Sequence, residues 1–173
     1  MFPAILALMV VALVPVLRGE DAPKQSAPIH FSKIIPLLPA VPTGWTSAEP
    51  DGNTMDAAGF KMTTVGRTYK KGDGDDSPSV SVNIIDFASN KQFYDATTAT
   101  WSFSQESTTG YTKSTKVDGN PGFETYDKSN KSAQLWVVVA QRFFVHIETS
   151  NLEPSELQGW MKQIDLKKLA GLK

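Results

Sequence analysis

Cysteine is absent from the 173 residues. That excludes disulfides, cysteine-ligated zinc, iron–sulfur clusters, a thiol nucleophile and a lipid-modified cysteine. Histidine is nearly as scarce, with only His30 and His146 present. A surplus of positive charge is also missing. Seventeen Lys and Arg stand against eighteen Asp and Glu, for a net charge of −1. The basic footprint of a nucleic-acid-binding protein is therefore lacking, and no nucleic-acid partner is expected. No G-x-S-x-G elbow, P-loop or G-x-G-x-x-G fingerprint occurs, so neither a nucleotide nor any other cofactor is expected.

What is present is enough for one ordinary domain with a real core: 40% hydrophobic residues and 20% charged. The uncharged run Phe2–Leu17 is sixteen residues long and is closed by Arg18, Glu20 and Asp21. It is short for a membrane span and fits the apolar region of an export signal. No Lys or Arg precedes it and no A-x-A site follows it. Residues 1–19 therefore read either as a cleaved signal peptide or as a retained N-terminal anchor. The expected destination is periplasmic or extracellular, with membrane contact only through Phe2–Leu17 if it stays uncleaved. An exported domain without disulfides must be held by its core alone.

Residues 20–32 read as a flexible tether and residues 33–173 as a single α+β domain. Pro36, Pro39 and Pro42 predict an extended arm over 33–45, anchored by Trp45. Alternation predicts strands over Lys61–Lys70 and Ser79–Phe87, joined by the Gly/Asp turn of residues 71–78. Ser89 and Gln92 match a capping box for a helix of about 12 residues from Asn90. Strands follow at Tyr111–Val117, Phe123–Tyr126, Gln134–Ala140 and Arg142–Thr149, the first two separated by the turn Asp118–Gly122. Leu157, Trp160, Met161 and Ile164 form a helical stripe, continued by Leu166, Leu169 and Leu172 after a kink near Asp165. The predicted order is β-β-α-β-β-β-β-α, an antiparallel sheet of about six strands with two helices packed on one face.

Few residues offer chemistry. His146 lies on a strand with Glu148 two positions on, so both side chains share a face. That pair suits a general base polarised by a carboxylate, and equally a solvated outer face. Asp86 closes a strand before a helix, where it serves either as a catalytic acid or as a cap. Asp73, Asp75 and Asp76 open like a calcium loop. The match then fails, with Pro78 where the EF-hand needs Gly and Ile84 where it needs Glu. They are weak metal candidates, and a solvated turn is the simpler reading. Trp45, Trp101, Trp136 and Trp160 suit core packing or an apolar groove.

Residues 37–45 (LLPAVPTGW), 66–69 (GRTY), 81–87 (SVNIIDF), 142–147 (RFFVHI) and 164–169 (IDLKKL) resemble a group of small exported bacterial proteins of unknown function. The layout also resembles the PsbP/Mog1-like fold. By analogy that resemblance implies binding or assembly rather than catalysis. The expected function is an exported, non-enzymatic binding or accessory protein of the periplasm or cell envelope. Its partner would be a protein or a small apolar ligand. The alternatives are a small hydrolase or lyase using His146 with carboxylates, and a structural or stress-induced envelope protein.

Overall fold

The computed structural model describes residues 26–57, 60–74 and 76–173. Residues 1–19, with their signal or anchor reading, lie outside the described residues, as do 20–25 of the expected tether. The elements run α1 (Phe31–Ile34), a 3₁₀ turn (Ile35–Leu37), β1 (Thr46–Ser47), β2 (Asp51–Ala57), β3 (Phe60–Lys70), β4 (Ser79–Asp86), α2 (Lys91–Thr98), β5 (Gln105–Ser107), β6 (Gly110–Val117), β7 (Asn120–Asp127), β8 (Ser132–Val139), β9 (Phe143–Ser150), α3 (Ser155–Met161) and α4 (Leu166–Ala170).

All nine strands join one antiparallel sheet in the order β1-β3-β4-β9-β8-β7-β6-β5, with β2 also paired to β3. The class is the expected α+β, but the described residues form nine strands where about six were expected. The additional strands are β1, β2 and β5. Asp51–Ala57 (DGNTMDA) carries few β-formers, and only its pairing with β3 makes it a strand.

The first face of the sheet holds the main core. Val65 and Tyr69 of β3, Val82 and Ile84 of β4, Leu135 and Val137 of β8, and Val145 and Ile147 of β9 point there. Ile34 of α1, Leu157, Trp160 and Met161 of α3, and Leu166 and Leu169 of α4 cover them. The apolar stripe of α3 is the predicted one, and the chain breaks where the kink was expected. Asp165 caps α4 by accepting the Lys168 amide at 2.8 Å. The arm lies on the domain as expected. Trp45 meets Trp160 edge to face at 5.1 Å, and the Tyr69 hydroxyl donates to the Pro39 carbonyl at 2.6 Å. It begins, however, with α1 and a 3₁₀ turn, because Pro36 sits in the first turn of the latter, where its missing N–H costs nothing.

The second face departs further from expectation. Phe144 of β9, Val138 of β8 and Phe87 form a second, smaller buried cluster, with Tyr94 of α2, Trp101 and Trp136 packed against it. The helices therefore lie on both faces, not one. Alternation gave Phe144 its correct face but not its cover, which comes from α2.

The sequence cap also shifts by one residue. Asn90, not Ser89, is the N-cap, and its Oδ1 accepts the Phe93 amide at 3.0 Å. Ser89 has φ 58°, outside the extended conformation a cap adopts. The helix has eight residues, none of them buried. Asn90→Ala should therefore cost about 1 kcal/mol, read in urea unfolding, while Ser89→Ala leaves the midpoint unchanged. Equal losses in both variants would restore the Ser89 cap.

Tight turns fix the registers. Asp118 and Gly119, at φ 49° and 81°, make a two-residue hairpin turn, so β7 starts at Asn120, earlier than expected. Ala140 and Gln141, at φ 52° and 50°, turn β8 into β9, and the Arg142 amide donates back to the Val139 carbonyl at 3.0 Å. That short connection makes the antiparallel pair predicted from the sequence. Among the described residues no helix is long and apolar enough to cross a membrane.

Candidate functional site

His146 and Glu148 both project from β9 onto the second face, as strand alternation requires. They form no dyad. Glu148 Oε1 accepts from Gln134 Nε2 at 3.4 Å. The His146 ring stacks on Trp136 with centroids 3.7 Å apart and planes 13° from parallel. Asn83 of β4 stands opposite His146 in the register. Burial pushes the imidazole down to about 4, so it is neutral at pH 7. Its Nε2 is buried and has no hydrogen-bond partner among the described residues.

Asp86 lies on the first face and is not brought to His146. It is 0% exposed and fully engaged. Its carboxylate accepts the amides of Ile29 at 2.7 Å and Ala88 at 2.8 Å. It also takes the Arg142 fork, with Nε at 2.9 Å and an Nη at 2.8 Å. The same Nη donates to the Ala27 carbonyl at 2.8 Å. With Ser26 donating to the Ala88 carbonyl at 3.2 Å, the described end of the expected tether is fastened to the domain. The buried charge holds the chain together rather than presenting an acid to a substrate.

Asp73 and Asp76 are exposed in the β3–β4 turn, and Asp75 lies outside the described residues. Among the described residues no three His, Asp or Glu side chains gather as a metal-holding group.

A polar cluster on the first face was not anticipated. Glu124 of β7 is only 5% exposed. It accepts a short hydrogen bond from the Tyr111 hydroxyl and an ion pair from Lys113 at 3.2 Å. Lys113 Nζ also lies 4.3 Å from the Tyr111 ring centroid. Burial and the Glu124 carboxylate push the Tyr111 phenol well above its usual value, so it remains a proton donor. Open clefts of about 390 and 370 Å³ lie against Tyr111, the first also lined by Tyr126 and Asp127. The signal was in the sequence. Once the hairpin turns at Asp118-Gly119, Tyr111 faces Tyr126 and Lys113 faces Glu124.

Set against protein-family models, curated proteins and solved structures, the chain matches none of them. Its function therefore has to be read from the site itself.

The aromatic part of the second face is the other feature of note. Trp101 stacks on Phe123 with centroids 6.1 Å apart and planes 12° from parallel, and it meets Phe144 edge-on at 6.0 Å. Trp136 reaches Phe144 at 6.5 Å. Trp101, Phe123 and Trp136 are half-buried, and Phe103 beside them is 54% exposed. Planar rings held rigidly by one another suit a flat apolar or aromatic surface in a partner.

Proposed function

We propose that this chain is an exported, non-enzymatic binding or accessory protein of the bacterial cell envelope, working through the aromatic second face of its sheet. The observation that carries the reading is the platform of Trp101, Phe123 and Trp136, rigid and left half-covered beside a neutral His146. Contiguous apolar surface marks interaction sites, and Trp is among the residues enriched where binding energy concentrates. The roles already taken by the candidate catalytic groups support the same reading. Asp86 is consumed by four hydrogen bonds, and an imidazole near 4 is a poor base at neutral pH. The partner class that fits is a protein or a small apolar ligand.

Native mass spectrometry of the chain, purified gently from its own cells with a denatured spectrum alongside, tests this. Additional mass should be present in the native spectrum and absent from the denatured one, and Trp101→Ser should abolish it. A bare monomer in both spectra overturns the reading. The denatured mass also reports whether Phe2–Leu17 is retained, which decides between an anchored protein and a free one.

A further inference from the structure

We infer that the end of the sheet where the chain enters the domain is a membrane-resting surface, seated on the interface of the bilayer that holds Phe2–Leu17. The inference rests on the export reading above, in its anchored form. Three features meet at that end. The first is chain entry: Ser26 is bonded to Ala88, and Ala27 and Ile29 are bonded to Arg142 and Asp86.

The second is exposed apolar surface. Met55 and Met62 face each other across β2 and β3, and Phe60 continues the row on the same side of the sheet. Met55 is 42% exposed, Phe60 49% and Phe93 of α2 39%. Phe60 and Met62 close a small cleft with Phe87 and Phe93, so hairpin and helix form one contiguous patch. The third is distance. Residues 18–25 separate the apolar run from Ser26, and fully extended they reach no more than about 30 Å. A connection that short keeps the domain within reach of the bilayer, and the end it is tied by is this apolar one. The acidic β3–β4 turn, with Asp73 and Asp76, lies at the opposite end of the strands and would point into water.

The attraction is apolar rather than ionic. The two lysines of the patch are already paired, Lys61 with Asp56 at 3.4 Å and Lys91 with Asp95 at 2.5 Å. Phenylalanine and methionine side chains at such a surface enter the headgroup and acyl boundary, and salt does not screen them.

Because the chain has no cysteine, a single introduced thiol takes an environment-sensitive fluorophore at one known place. Full-length Phe60→Cys, Phe93→Cys and Lys128→Cys proteins would be labelled and reconstituted into phosphatidylethanolamine and phosphatidylglycerol vesicles carrying nitroxide-labelled lipid. Lys128 lies in the β7–β8 turn at the far end and serves as the reference. Met55→Cys provides a third reporter on the patch, and unchanged near-UV circular dichroism checks each fold. Expected is blue-shifted emission and several-fold stronger lipid quenching at positions 55, 60 and 93 than at 128, persisting in high salt. Vesicle flotation of the protein with equal quenching at all four positions overturns this inference while leaving the anchored reading standing. Failure of the full chain to float overturns both. Contact that disappears in high salt overturns the apolar docking.

Discussion

Replacing Arg142 with alanine is expected to destabilise the fold by about 3–5 kcal/mol, because it leaves a buried carboxylate without its counter-charge. Asp86 is wholly buried and its partner is 14% exposed, so solvent screens the pair little. Without the guanidinium, the carboxylate keeps only the Ile29 and Ala88 amides. Lysine at 142 should recover only part of the loss, since an ammonium cannot reproduce the two-pronged contact. The double variant Asp86→Leu/Arg142→Leu should be more stable than Arg142→Ala alone, because it removes the orphaned charge along with its partner. Urea unfolding measures the three. Amide exchange adds a local readout, with the Ser26 and Ile29 amides exchanging faster in Arg142→Ala, since Arg142 also holds the Ala27 carbonyl. A loss below about 1 kcal/mol, the range of surface ion pairs, would sink this account of Asp86.

Asp86 also shows where sequence reading stops. Its position at the end of an alternating strand was legible, and capping or closing a turn was the simpler expectation. Its partner was not legible. Arg142 lies 56 positions away and meets Asp86 only because β4 pairs with β9. The same reason hid α1 and β2. Their segments are polar or rich in proline, and they are held by contacts such as the Phe31 amide to Thr54 Oγ1 at 3.0 Å. Elements whose apolar period is strong, β4, β9 and α3, were readable nearly to the residue, because the residues each sends into the main core recur in phase. The Tyr111, Lys113 and Glu124 cluster failed for a narrower cause. Placing the turn over 118–122 instead of 118–119 lost the register that joins them.

Acidification should weaken the fold through His146, and the sign follows from its environment. Burial lowers the folded value from 6.5 to about 4, while the unfolded chain keeps the ordinary value. The neutral ring is thus the native form. Its contribution is fully present above about pH 6.5 and is lost as pH falls toward 4, where both states carry the proton. The separation of the two values sets a ceiling of about 3 kcal/mol, reduced because the ring is partly open to water. Acid acts on the whole protein, so wild type alone does not isolate the effect. His146→Phe does, since it keeps a flat ring on Trp136 and removes both the proton and the unpartnered Nε2. Urea midpoints of the two proteins should keep a constant difference above pH 7 and diverge in favour of the variant between pH 6.5 and 4. Parallel curves across that window, or an imidazole that titrates near 6.5 by NMR in the folded protein, would show that the ring is solvated. The aromatic face would then be an open surface on which His146 is free to accept a proton, and the objection to His146 as a base at neutral pH would fall with it.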